Sequence, residues 1–153
     1  MAEDDARYLL FLCTANLYRS RFAEGLFNHG AIRRGLGWRA FSRGLLAEER
    51  ESGLSPHARN GFLLAGVDPG LTSPGPRRLT RQCLREADRV IALQESEHRP
   101  FLEEHFPGDC DRILYWNIPD IDVLSPPQAL IAIQDGVEAE WRRLAPTAGR
   151  TGP

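Results

Sequence analysis

Eight consecutive residues, Cys13-Thr14-Ala15-Asn16-Leu17-Tyr18-Arg19-Ser20, combine a nucleophile and a cation at a spacing that suits chemistry on an anion. Five apolar residues, Tyr8 to Leu12, precede the cysteine, and a helical pattern with Phe22, Ala23, Leu26 and Phe27 follows Ser20. The cysteine therefore falls at a strand end and the loop at a helix N-terminus. Loop N–H groups in that position converge into an anion-binding nest, and the positive end of the helix dipole adds to it. Arg19 can fork onto two oxygens of a bound phosphate. The same field favours a thiolate over a thiol at Cys13. A tetrahedral oxyanion held there has its central atom in line with the sulfur, which is the geometry for covalent phosphoryl transfer to cysteine.

Spacing alone is weak support in this chain, because all 19 basic residues are arginine. The sequence supplies its own control: Cys83 also has an arginine six positions on, Arg89. That second match begins inside a predicted helix, includes Glu86 and Asp88, and is followed by Val90 rather than a hydroxyl. Cys13 has a strand before it, no acidic residue in its loop, Ser20 after the arginine and an amphipathic helix beyond. Context selects Cys13.

The elements that must position this loop can be read along the chain. The run Tyr8 to Leu12 reads as a strand buried on both faces. Trp38 to Ser42 reads as a second strand, Val90 to Leu93 as a third and Ile113 to Trp116 as a fourth. Helices are expected from Ser20, from Ser55 with Pro56 at its first position to Gly66, from Thr80 to Asp88, and from Ser96 to His105. A last helix places Leu130, Ile133, Val137, Trp141 and Leu144 on one stripe. Asp68 to Arg78 reads as a loop. Strands separated by helices imply crossover connections, hence an α/β fold: one three-layer domain with a four-stranded parallel, doubly wound sheet and helices on both faces. The domain is expected over residues 7–145, with residues 1–6 and 146–153 as flexible ends. Ligands of such sheets bind at the carboxyl ends of the strands, where the strand order switches.

Composition narrows the function. The chain has 153 residues, 42% of them apolar, a net charge of -2 and no apolar run long enough to span a bilayer. Nucleic-acid and membrane partners are therefore not expected. Three cysteines at scattered spacing, 13, 83 and 110, read as free thiols of a cytoplasmic protein rather than as a disulfide framework or a zinc site. No metal or other cofactor is expected.

Tyr8 to Glu24 resembles the signature of the low-molecular-weight protein tyrosine phosphatases: an apolar strand, Cys, five loop residues including Asn, Arg-Ser, then a helix with Ala-Glu. Phe41-Ser42-Arg43-Gly44 looks like the strand end that follows in that family. Arg78-Leu79-Thr80, Ala87 to Leu93 and Tyr115 to Asp120 match later segments in order, so the resemblance covers roughly residues 7 to 145. It implies a two-step hydrolysis in which Cys13 attacks phosphorus, Arg19 holds the phosphate and Asp120 protonates the leaving oxygen. Asp122 competes for the acid role; Asp120 is preferred. Thr14, Ala15, Asn16, Leu17, Tyr18 and Ser20 are the expected substrate-binding residues. Ser20 is expected to hydrogen-bond the thiolate, and Asn16 to hold the loop in a left-handed conformation.

The chain departs from the family pattern at several points. Ala15 stands where Gly is common, and is strained if its φ is positive. Tyr18 replaces a second loop cysteine, so no internal disulfide with Cys13 is expected. Ile121-Asp122-Val123 replaces the Pro and aromatic residues that often follow the acid, removing the usual wall for a phosphotyrosine ring. The histidine expected near Pro74 is missing. Leu17 stands where arginine-phosphatase relatives carry Thr, which argues against phosphoarginine. The expected substrate is a phosphorylated protein or a small aryl phosphate, with arsenate reduction on the same loop and non-catalytic phosphate binding as alternatives. Cys83 and Cys110 read as passive thiols. His29, His57, His98 and His105 read as structural or solvated, and Trp38, Trp116 and Trp141 as packing residues, with Trp116 near the acid loop.

Overall fold

The computed structural model describes residues 6–146, so the flexible ends expected at residues 1–6 and 146–153 lie, but for their innermost residues, outside the described residues. Strand β1 (Arg7–Cys13) is the centre of the sheet. Its side chains alternate: Leu9 and Phe11 enter one core, Leu10 and Leu12 the other, and all four are fully buried. A strand so placed needs helices on both sides, which is why it reads as an unbroken apolar run.

With β2 (Trp38–Gly44), β3 (Arg89–Ala92) and β4 (Leu114–Tyr115), the sheet has the order β2-β1-β3-β4, every pair parallel. Cys13 pairs with Gly44 on one side, and Leu12 with Ala92 on the other. The chain leaves β1 toward β2 and later crosses to β3. Cys13 therefore stands at the switch in strand order.

Helices α1 (Arg19–Arg34), α2 (Pro56–Ala65) and α5 (Pro126–Leu144) cover the face of Leu9 and Phe11, contributing Phe22, Phe27, Phe62, Ile133, Val137 and Trp141. Helices α3 (Arg81–Glu86) and α4 (Glu95–His105) cover the other face with Leu84 and Leu102. Each of these large side chains, removed from water, contributes about 1.5–3 kcal/mol.

The boundaries differ from expectation where side chains compete with the backbone. Helix α3 stops at Glu86 rather than Asp88, because the Asp88 carboxylate accepts the Tyr8 N–H at 2.8 Å and pairs with Arg7. Strand β4 is only two residues long. Ile113 donates back to Cys110 in a turn, while Trp116 and Ile118 still follow β3 by donating to Ala92 and Leu93. Within the expected loop 68–78, Pro69–Leu71 forms one 3-10 turn, its entry held by Asp68 accepting the Gly70 N–H at 2.8 Å. Ser55 caps α2 as expected, accepting from the His57 N–H at 3.1 Å.

Helices α1 and α5 approach closely at Gly30. A Cβ there would lie 2.0 Å from Cζ2 of Trp141, a ring held by its own bond to the Phe27 carbonyl at 3.1 Å. Gly30→Ala is expected to destabilise the fold by about 1–3 kcal/mol through overpacking, despite the better helix propensity of alanine. Urea unfolding measures this, and an unchanged midpoint would show that Trp141 is free to move.

Candidate active site

The loop between β1 and α1 is shaped by bonds to its carbonyls. Cys13 O accepts from Leu45 N–H at 2.9 Å, Thr14 O from Leu46 N–H at 2.9 Å and Leu17 O from Ser55 N–H at 2.8 Å. Asn16 O accepts from Arg21 Nη1 at 3.2 Å. Every one of these donors lies outside the loop. The backbone N–H groups from Thr14 to Arg19 donate to no protein acceptor among the described residues. Helix α1 begins without a side-chain cap and without an acidic residue in its first turn. Unpaired amides and an uncapped positive helix end together make an anion nest.

Asn16 holds the loop's shape. Its φ is 61°, so it is the residue in the left-handed region, and Ala15 carries no such strain. Its fully buried amide donates to Ser20 Oγ at 2.8 Å and Ser42 Oγ at 3.0 Å, and accepts from the Arg77 N–H at 2.9 Å. Ser20 Oγ lies 2.8 Å from Cys13 Sγ. Because that oxygen already accepts from Asn16, its own proton is available to a sulfur anion. Cys13 is 3% exposed, at the base of the loop.

Arg19 is buried, 2% exposed. Its Nη1 donates to Glu97 Oε1 at 3.1 Å and to the Ile118 carbonyl at 3.0 Å, and its Nη2 to Glu97 Oε2 at 2.9 Å. Burial lowers the guanidinium's proton affinity, but Glu97, Cys13 and Asp120 outweigh it and leave the group firmly charged. Asp120 lies on the loop after Ile118, its Oδ2 3.5 Å from Arg19 Nη2. The turn that presents it is closed by Val123 and Leu124 donating to the Asp120 carbonyl at 2.9 and 3.0 Å. Asp122 is exposed, and its side chain makes no hydrogen bond or ion pair among the described residues.

Tyr18 is buried, 8% exposed, with its ring against His57 and its hydroxyl without a partner among the described residues. Burial pushes the phenol's pKa up, Asp120 adds to the rise, and Arg19 opposes it. Leu17 is half-buried beside Gly53. Thr14 turns its hydroxyl to Glu97 and lies 3.2 Å from His98 Nε2.

Four further residues build the site and have no role in the motif reading, although Glu24 closes the matching segment. Arg21, one per cent exposed, donates to Thr72 Oγ1 at 2.7 Å, to the Gly53 carbonyl at 2.8 Å and to the Ser73 carbonyl. Glu24 accepts from Ser42 Oγ at 2.6 Å and Thr72 Oγ1 at 2.7 Å. Burial raises the Glu24 pKa against the pull of these hydroxyls and Arg21, and lowers that of Arg21. These two charges tie the loop near Ser73, where no histidine stands, to the nucleophile loop. Glu97 and His98 are the other two. A charged pair three residues apart on the buried side of α1 was the available signal for the first two.

The remaining candidates separate cleanly. Arg89, the control match, is spent on Glu140 in a two-point bond at 2.7 and 3.2 Å. Cys83 lies in the core on the face of Leu10 and Leu12, and Cys110 packs against it, whereas Cys13 belongs to the opposite core. Trp116 packs on Phe11 at 5.6 Å between ring centroids. Among the described residues no group of three or more His, Cys, Asp or Glu is placed to hold a metal ion, and no helix is long and apolar enough to cross a membrane.

A thiol at the carboxyl end of a central parallel strand, followed by unpaired amides, a buried arginine and an uncapped helix N-terminus, defines a cysteine-based phosphatase. The family model for low molecular weight phosphotyrosine protein phosphatase matches residues 8–117. A protein-arginine-phosphatase of Bacillus subtilis (strain 168) is 30% identical over 146 residues, covering 90% of this chain and 93% of the relative. The chain belongs to the low molecular weight phosphotyrosine protein phosphatase family. It is a cysteine-dependent phosphatase. The low molecular weight protein tyrosine phosphatase from T. tengcongensis superposes with a TM-score of 0.77 at 25% identity, over 91% of this chain and all of that one (100%). The enzyme of that class from Streptococcus pyogenes has the same fold at 14% identity, TM-score 0.79, covering 95% and 98% of the two chains. The family match ends before Asp120.

Two outcomes test this geometry. Asn16→Ala is expected to cost about 2–4 kcal/mol, from left-handed strain and lost buried hydrogen bonds, whereas Asn16→Gly removes the strain and retains only the second loss. Equal costs in urea unfolding would show that φ does not matter there. Glu97 has its carboxyl pKa held far below the usual range, first by His98, then against desolvation by Arg19 and Thr14. A depressed folded-state pKa gives stability that is complete above the unfolded value and lost as pH falls through the folded one. The melting difference between the parent and Glu97→Gln should thus be constant from about pH 8 to 5 and shrink below about pH 4. A gap that widens in acid would contradict it.

Proposed function

We propose that this phosphatase hydrolyses aryl phosphate monoesters, phosphotyrosine in a protein among them, through a cysteinyl-phosphate intermediate with Cys13 as nucleophile, Arg19 as phosphate clamp and Asp120 as general acid. The observation that supports this reading is Cys13 Sγ, 2.8 Å from Ser20 Oγ, at the start of a loop whose amides are unpaired among the described residues and which ends at Arg19, 3.5 Å from Asp120.

In the first step the thiolate attacks phosphorus, and the bond to the leaving oxygen breaks as Asp120 gives that oxygen its proton. The loop amides and Arg19 bind the three equatorial oxygens, where charge is carried in the transition state. In the second step water attacks the phosphocysteine, Asp120 takes a proton from that water, and the sulfur leaves as a thiolate stabilised by the Ser20 hydroxyl. Thr14, Ala15, Asn16, Leu17, Tyr18 and Ser20 form the rest of the binding loop, the first five lending amides. Asp120 is favoured over Asp122 because it faces Arg19.

One curated relative is named for action on phosphoarginine. A phosphoguanidine needs hydrogen-bond acceptors beside its nitrogens. Leu17 offers an apolar surface at the mouth instead, which suits an aromatic ring. Arsenate reduction is disfavoured by the position of Cys83 in the opposite core from Cys13, with the half-buried Cys110 packed against that same core. The free thiols also fit a reducing compartment, and we place the protein in the cytoplasm.

A panel of aryl phosphates, phosphotyrosine peptides and phosphoarginine tests the reading. Cys13→Ser should abolish turnover. Asp120→Asn should lower kcat about 10²–10⁴-fold for poor leaving groups and far less for good ones. Equal losses across leaving groups would remove Asp120 from the acid role, and phosphoarginine as the preferred substrate would overturn the aryl assignment.

A further inference from the structure

Position 97 carries an unusual carboxylate. Glu97 is the third residue of α4, where a glutamate commonly folds back onto the N-terminal backbone N–H of its own helix. Here that N–H, from Gln94, is taken by His98 Nδ1 at 3.1 Å, and the Glu97 side chain turns outward. With Nδ1 accepting, the proton of this fully buried imidazole is on Nε2, which lies 3.2 Å from Glu97 Oε2. The carboxylate so held grips Arg19 through both terminal nitrogens and receives the Thr14 hydroxyl. It thus ties together the first and last residues of the loop.

The covalent geometry of the guanidinium decides what this grip does. Glu97 takes the end-on edge, Nη1 with Nη2, and the Ile118 carbonyl takes the second Nη1 hydrogen. The hydrogens left over are those of Nε and the inner one of Nη2. They lie parallel on one edge, which is the edge that forks onto two oxygens of a tetrahedral anion. Nε makes no hydrogen bond among the described residues, and Asp120 Oδ2, 3.5 Å from Nη2, forms an ion pair with Arg19 without hydrogen-bonding to it.

We propose that Glu97, steered by His98, is a positioning residue: it fixes the plane of the Arg19 guanidinium so that its Nε–Nη2 edge faces the phosphate, and clamps Thr14 to the same point. This rests on the phosphatase reading of the loop. The carboxylate makes no contact with the reacting atoms; it acts through Arg19, leaving the phosphate-binding fork open rather than occupying it.

The test compares the parent, Glu97→Gln, Arg19→Lys and the double variant, each measured for orthovanadate affinity, aryl phosphate kinetics and melting temperature. Glu97→Gln should weaken vanadate and lower kcat/KM by about tenfold or more, while in the Arg19→Lys background its removal should change neither by more than about twofold, because the group it positions is gone. Glu97→Asp, with the charge one methylene shorter, should weaken vanadate by less, and answers the question if the amide variant does not fold. Tighter vanadate binding without Glu97 would overturn the proposal, since the carboxylate would then be blocking the fork. So would a lowered melting temperature with vanadate affinity unchanged, or losses that multiply with those of Arg19→Lys. Vanadate binding is read without turnover. A parent that binds it but hydrolyses no aryl phosphate therefore defeats the functional reading while leaving the Glu97 effect measurable.

Discussion

A guanidinium buried to 2% exposure cannot stand alone in a protein interior. Removing a charge from water costs several kcal/mol unless opposite charge and hydrogen bonds replace the lost solvent. Arg19 meets that demand with Glu97, the Ile118 carbonyl and the more distant Asp120, and still has one edge free of hydrogen bonds among the described residues. Around that unmet edge the loop turns free amides and a helix N-terminus toward the same place, so positive potential is concentrated where little water can screen it. The rest of the molecule holds this concentration of charge against relaxation. The carbonyls of the loop are bonded outward, Asn16 accepts a left-handed φ, and Arg21 with Glu24 ties in the neighbouring loops.

The fold explains why the nucleophile can be rigid. Cys13 ends the central strand of a parallel sheet with a packed core on each face, and pairs in register with Gly44. At Gly44 a side chain would strike the Thr14 carbonyl at 2.7 Å, so the strand next door comes as close as backbone allows. Asp120, proposed as the acid, by contrast sits on an exposed turn after Ile118. A fixed sulfur and a peripheral carboxylate suit the proposed reaction, in which the phosphate must be held still while leaving groups of different shape depart.

Most of the architecture was legible because buried parallel strands are written as apolar runs and helices as stripes with recognisable ends. Ser55-Pro56 and Thr80 announced their helices through capping chemistry alone. The errors lay at Asp88 and Ile113, where a side chain or a turn took backbone groups that propensity could not assign. The nucleophile loop was legible for a different reason: Cys13, Arg19 and Ser20 are local in sequence, so spacing and context could be weighed together. Glu97 and His98 are distant in sequence from the loop they serve, and only the crossover from β3 into α4 brings them there. The buried role of His98 follows from its helix position, not from any ligand spacing. Tyr18 read as a loop residue in place of a cysteine, whereas its ring fills the core beside α2, with a hydroxyl that finds no partner among the described residues.

The account depends above all on a covalent bond between phosphorus and Cys13. Rapid acid quenching of Asp120→Asn during turnover of an aryl phosphate, followed by mass spectrometry of its peptides, tests it most directly. A phosphate carried on the peptide containing Cys13, and lost when that residue is serine, is the expected result. Turnover that proceeds with no phosphorylated cysteine at any time point, or that survives without the thiol, would contradict it.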